Sequence, residues 1–282
     1  MRIWRAVKVF LSFDMEGVAG IVDWEQCVGS GPSYEMGRRL TLAEVNAAID
    51  GSVEGGATEL LVNDSHWTMQ NLPPGELHAG AAYLSGRHKP GYMTEGLDGT
   101  FGAAMFIGYH GSAGTSSVLS HTYNPNAIGE VRLNGHVAGE AAINALVAAH
   151  HGVPVAMITG DATTADESVW FAPTAARVIV KESISRFAAR SLHPDVARRA
   201  ISEGAATAMR SVRAGGIAAP AFDRPIRLEV DFLTADMADM ATWIRGVERS
   251  GPRSTVIETA DALAAFRAFI ATVYLTRQAE GR

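Results

Sequence analysis

Val7-Lys8-Val9-Phe10-Leu11-Ser12-Phe13-Asp14-Met15-Glu16-Gly17, residues 7–17, is the stretch on which the fold turns. Its first seven residues form a mainly apolar, Val- and Phe-rich run interrupted by Lys8, which predicts a mostly buried strand. Asp14 and Glu16 follow at once. In extended chain, residues two apart point to one face. Two carboxylates crowded there repel unless a cation or a shared proton relieves them. The plainer alternative is a solvated strand end, with Glu16 capping a turn at Gly17.

Working outward, Ser33 offers an N-cap to a helix with Met36, Leu40, Ala43 and Ala47 on one face, ended by Gly51. Leu60–Asn63 and Ala103–Gly108 read as further buried strands. Asn134-Gly135 sits between short alternating runs and signals a hairpin over 130–137. A helix over 138–150 precedes another buried strand, 154–159. Beyond it, 195–212 and 260–274 read as helices, 227–232 as a strand, and 215–220 as a surface loop. Apolar strands alternating with helices imply an α/β fold: a mainly parallel sheet flanked by helices, with a second, smaller α/β part. The expected division is a metal-site domain over 1–160 and a C-terminal α/β domain over 161–282, although no linker-like composition marks residue 160.

The 282 residues are 47% hydrophobic and 19% charged, so the chain can bury a large core and is not disordered. Net charge is −6, which gives no footprint for nucleic acid or for an anionic membrane surface. One cysteine, Cys27, excludes an internal disulfide framework and a Cys-rich zinc finger, so any metal must be held by His and carboxylates. Lys8 and Asp14 interrupt the N-terminal apolar stretch, no small-residue cleavage site follows, and no run reaches the ~18 apolar residues of a membrane helix. The expected location is cytoplasmic.

Three candidate groups share one address. Asp14 and Glu16 follow the first strand, His66 the second, and His110 the third. In an open α/β sheet, loops at the carboxyl ends of the strands converge on one site. Asp64 could orient the His66 ring or serve only as a turn residue. His110 and His121 bracket a Gly/Ser/Thr-rich loop, which is either flexible or able to turn its N–H groups toward an oxyanion. Glu140 opens a predicted helix, where a negative charge is favourable without any catalytic role.

Ser12-Phe13-Asp14-Met15-Glu16-Gly17 resembles the S-x-D-x-E-G signature of the M55 D-aminopeptidases. The resemblance continues through Val62-Asn63-Asp64-Ser65-His66, Glu95-Gly96-Leu97-Asp98, Gly108-Tyr109-His110, Ser120-His121 and Gly139-Glu140 with Asn144, in the family's order and spacing over residues 9–161. A weaker similarity runs through Lys181 to Arg186. Two departures are Thr122, where a serine is expected, and a longer lead before the first strand. Carried over residue by residue, the resemblance implies metal ligands Asp14, Glu16, His66, His110 and Glu140, and a catalytic His121. It implies a homo-oligomer that is a decamer in the family. Five such ligands suit two Zn²⁺ per chain sharing a carboxylate, and Asp14, central at the strand end, is the expected bridge. The activity implied is release of N-terminal D-residues, D-Ala above all, from short peptides. The family's histidine is described as a nucleophile, but a metal-activated water is the expected attacker here, since direct histidine attack gains nothing beside two metals. Asp98 or Asp161 would hold the substrate ammonium. The same donors would also suit a dinuclear amidase or phosphoesterase, or a non-catalytic metal-binding protein.

Overall fold

A computed structural model of the chain describes residues 7–279. The lead over 1–6 and the end over 280–282 lie outside the described residues. The strands in chain order are β1 (Lys8–Phe13), β2 (Glu59–Asp64), β3 (Ala82–Leu84), β4 (Ala103–Tyr109), β5 (Ile128–Leu133), β6 (His136–Val137), β7 (Val155–Asp161), β8 (Ala176–Ser185), β9 (Ala188–Ser191), β10 (Ile226–Phe232), β11 (Val247–Arg249) and β12 (Ser254–Thr259). The helices are α1 (Pro32–Glu54), α2 (Glu140–His151), α3 (Ala162–Glu167), α4 (Pro194–Arg213), α5 (Ala235–Ala241) and α6 (Ala262–Thr276). None is long and apolar enough to cross a membrane.

The main sheet has the order β3-β2-β1-β4-β7-β8-β9, parallel except for the β8–β9 hairpin. A smaller antiparallel sheet has the order β11-β12-β10-β5-β6. Both sheets draw strands from either side of residue 160, which itself lies inside β7. The Asn134-Gly135 turn joins β5 to β6 with both residues at positive φ, as the two-residue hairpin requires.

The main sheet is covered on both faces, so its strands are apolar throughout rather than alternating. Val9, Leu11 and Phe13 of β1 pack with Leu42, Val45 and Ile49 of α1 and Ile201, Ala205 and Met209 of α4. Phe10 faces the other way, into a core shared with α2, α6 and the smaller sheet. Helix α1 runs past Gly51 to Glu54 because Gly51 is a packing site rather than a stop. A Cβ there would stand 2.0 Å from the Ser202 carbonyl of α4. Its N-cap is Gly31, with Pro32 in the first turn, not Ser33.

Strand order fixes where ligands gather. From β1 the chain moves to one side to build β2 and β3, then crosses to the other side for β4. The loops after β1 and β4 therefore diverge around an open crevice at the carboxyl edge.

Candidate metal centre

Asp14 leaves β1 with its N–H donated to Ile107 O of β4, 2.8 Å away. The chain then turns instead of continuing extended: Gly17 donates to Gly108 O at 2.8 Å and Val18 to Met15 O at 3.1 Å. Only glycine fits at 17, since a Cβ would lie 1.8 Å from Tyr109 O. The two carboxylates still meet, by a turn and not by strand alternation. Asp14 Oδ1 and Glu16 Oε2 lie 2.8 and 3.1 Å from His66 Nδ1. Lys181 of β8 holds this turn from beneath. Its buried Nζ donates to the carbonyls of Glu16, Val18 (3.0 Å) and Ile21 (2.6 Å), and burial pushes its pKa down to about 8. Glu44 of α1 accepts the Ala19 N–H at 2.9 Å.

Each of the three histidines is fixed by a backbone carbonyl. His66 Nε2 donates to Cys27 O at 2.9 Å, His110 Nδ1 to Gly111 O at 2.9 Å, and His121 Nδ1 to Leu119 O at 2.8 Å. These donations leave the second ring nitrogen aimed at carboxylates. His110 Nε2 lies 3.3 Å from Asp14 Oδ2 and 3.8 Å from Glu140 Oε1, and His121 Nε2 lies 3.5 Å from Glu140 Oε1. The His110 and His121 rings stack at 4.4 Å. Asp64 does not touch the His66 ring. It accepts the N–H groups of Asn71 and Leu72 and braces the loop after β2, while the carbonyl of Cys27 orients the ring.

Asp14, Glu16 and Glu140 are 2%, 1% and 5% exposed, so three carboxylates share a space almost without water. Asp14 Oδ2, Glu16 Oε2 and His110 Nε2 are buried with no hydrogen-bond partner. Such groups are costly unless a cation meets them. Among the protein groups alone the strain shows in the proton affinities. Burial and the neighbouring Asp14 raise the Glu140 carboxyl. Burial works against a charged His110, but the Asp14 hydrogen bond and Glu140 override it and push its pKa up to about 10. Burial and His110 push His121 down to about 4.

Ligand atoms of Asp14, Glu16 and His66 lie within 4.8 Å of one another, as do those of Asp14, His110 and Glu140, so Asp14 belongs to both groups. Glu16, His110 and His121 form a third grouping by the same measure. Imidazole and carboxylate donors in this number fit zinc.

The site opens through a chamber of about 100 Å³ lined by Asp14, Glu16, His66, His121 and Glu140, with Ser65, Tyr92, Met93 and Tyr123. It continues into an outer cavity of about 680 Å³ walled by Trp24 and Trp67 and by Arg87, Arg186 and Arg277. Neither Asp98 nor Asp161 lines either cavity. Asp98 is tied to Thr100 at the surface, and Asp161 N-caps α3 and accepts from Ser117 and Ser183. The loop between His110 and His121 is pinned: Gly111, Ser112 and Ala113 donate their N–H groups to Ser117, Glu167 and Thr122. Those donors do not face a substrate.

Below the chamber, Ser12 Oγ, Tyr109 OH, Asn144 and Tyr123 OH form a buried chain of hydrogen bonds, with Asn144 donating to Tyr109 at 2.9 Å and accepting from Tyr123 at 2.6 Å. The Tyr123 N–H in turn donates to Glu140 at 2.7 Å. Sequence reading found no role for Cys27 O, Glu44, Tyr123 or the three arginines. Backbone carbonyls leave no residue signal, and the arginines lie 99 and 91 positions apart along the chain.

Residues 7–271 match the M55 D-aminopeptidase family. A D-aminopeptidase of Bacillus subtilis (strain 168) is 37% identical over 266 residues, covering 94% of this chain and 96% of the relative. The solved structure of the Zn-dependent D-aminopeptidase DppA from Bacillus subtilis, described as a self-compartmentalizing protease, superposes with a TM-score of 0.91 at 33% identity, covering 96% of this chain and 98% of that one. With the family match over nearly the whole chain and the whole topology in common with a solved relative, the chain belongs to the M55 family of D-aminopeptidases.

Proposed function

We propose that the protein is a zinc-dependent aminopeptidase that releases N-terminal D-residues, D-Ala above all, from short peptides. The observation that carries this reading is the pair of ligand groups joined by Asp14. One ion would be held by Asp14, Glu16 and His66, the second by Asp14, His110 and Glu140. Two such ions, when bound, supply Lewis acidity at the scissile carbonyl and lower the pKa of a water.

The chain's own residues do the rest. His121 is the proton carrier. It lines the chamber, whereas His110 does not. Its Nδ1 is committed to Leu119 O, and burial and the neighbouring His110 keep its Nε2 unprotonated at neutral pH, with a free lone pair as acceptor. Trp24, edge-on to His121 with ring centroids 5.4 Å apart, limits the ring's freedom and shields it from water. Tyr123 holds Glu140 through its N–H and Asn144 through its hydroxyl, so the wall of the chamber and the ligand move together. The small chamber favours a small first residue. In such a space, exchange of hydrogen and methyl at the first Cα produces a clash or a lost contact. Assembly of several copies, as the self-compartmentalizing relative does, would restrict access to short peptides.

Zinc titration of chelator-treated protein tests this reading. Turnover of a D-alanyl anilide should return in full at two equivalents per chain. Full activity at one equivalent would refute the dinuclear centre, and turnover of a phosphate monoester instead of the anilide would refute the peptidase.

A further inference from the structure

The outer cavity carries a charge pattern that the metal centre does not explain. Arg87 follows β3, Arg186 lies in the tight β8–β9 turn, and Arg277 follows α6. Three unconnected elements thus bring three guanidiniums to one cavity, and among the described residues no carboxylate lines it. None of the three has an ion-pair partner among the described residues. This concentration of positive charge opposes the chain's net −6. Unpaired like charges repel one another, so their convergence has a cost that an anionic ligand would offset.

The cations are held in place. Arg277 lines both cavities and therefore stands at the threshold between them. Its Nη2 donates to Tyr92 OH at 2.9 Å, and its guanidinium lies over the Tyr274 ring at 5.3 Å. The Arg186 backbone is fixed by its carbonyl, which accepts the Leu119 N–H at 2.8 Å, two residues from His121. Trp24 and Trp67 wall both cavities. Trp67 adopts φ 45°, a region bulky residues avoid, which marks a backbone held by its surroundings. Aromatic walls lower the local dielectric and strengthen a charge-assisted contact.

From this pattern we infer that Arg87, Arg186 and Arg277 bind the free C-terminal carboxylate of the peptide substrate. The inference rests on the aminopeptidase reading and adds to it a requirement at the far end of the substrate. With the first residue in the inner chamber and a chain that advances about 3.3–3.6 Å per residue, the carboxylate of a di- or tripeptide emerges among the arginines. A longer chain carries its carboxylate beyond them, so the same device selects short peptides without any steric gate.

The test compares kcat/KM for D-Ala-D-Ala and for a D-alanyl tripeptide, each as free acid and as C-terminal amide, in zinc-loaded protein. The free acids should be favoured about tenfold or more, mainly through KM, and the preference should shrink as salt screens the contact. In an Arg87→Gln/Arg186→Gln variant, both positions being exposed, the acid-to-amide ratio should fall toward one. Arg277→Gln gives a second, independent variant with the same expectation. Equal turnover of acid and amide, or a ratio that the variants leave intact, overturns the carboxylate site while leaving the aminopeptidase standing. Turnover of neither form by zinc-loaded protein overturns the aminopeptidase reading, and the carboxylate site with it.

Discussion

Glu44→Gln should stabilise the protein, by an amount that grows as pH rises from about 5 to about 7 and then levels off. Glu44 is 2% exposed on α1, with Oε1 accepting the Ala19 N–H and Oε2 without a partner. Burial raises its pKa from 4.5 to about 7, against the opposing pull of the Ala19 hydrogen bond and Lys181. A carboxyl whose folded pKa is raised contributes its full stability below the unfolded pKa and loses it as pH rises through the folded one. The linkage gives a cost of about 1 kcal/mol at pH 5, growing to about 3 kcal/mol at pH 8, because each pKa unit is worth about 1.4 kcal/mol. Glutamine reproduces the protonated carboxyl and keeps an acceptor for Ala19. Urea unfolding of both proteins, at equal zinc, should therefore show a gain of about 3 kcal/mol at pH 8 and only about 1 kcal/mol at pH 5. Equal gains at the two pH values, or a loss at pH 8, would mean that burial of the ionised carboxylate is not what costs stability. A loss would mean that the ionised Glu44 supports Lys181 more than its own burial costs.

His121→Ala should keep its zinc and lose about 10²–10⁴-fold in kcat, the usual effect of removing one proton-transfer group. Wild-type kcat would refute the role, and loss of zinc would move His121 into the ligand set, as its grouping with Glu16 and His110 allows. Glu140→Gln keeps an acceptor for the Tyr123 N–H but removes a ligand charge. Metal analysis after gel filtration should then give about one zinc per chain in place of two, and retention of two would count against the assignment. Light scattering at micromolar concentration should give a particle several times the 29.9 kDa chain mass, and a monomer would exclude a closed assembly.

The parallel strands β1, β2, β4 and β7 were legible because burial on both faces makes them unbroken apolar runs, and the site was legible because its residues follow those strands. Strand β8 was not. Ala176–Ser185 carries Arg177, Lys181 and Glu182, and it lies next to the edge of the sheet, where alternation is partial. Lys181 is a charged residue in the strand's sequence but works as a buried clamp on three carbonyls. The 3-residue β11 and 7-residue α5 are too short for periodicity to register. Glu140 illustrates a different limit. Its position at the start of α2 is fully explained by the helix dipole, so only family resemblance pointed to it, although its carboxylate faces His110 and His121. The expected ammonium partners, Asp98 and Asp161, show the converse: closeness in sequence to the motif residues does not bring either side chain to the chamber or the outer cavity.

The most direct measurement is kcat/KM for D-Ala-D-Ala against L-Ala-L-Ala, with zinc-loaded protein at equal enzyme and metal. Misplacing a reacting group by about 1 Å costs roughly 10²-fold, so a chamber this small should favour the D-dipeptide by about that factor or more. A preference for the L-dipeptide, or no hydrolysis of either, would contradict the account.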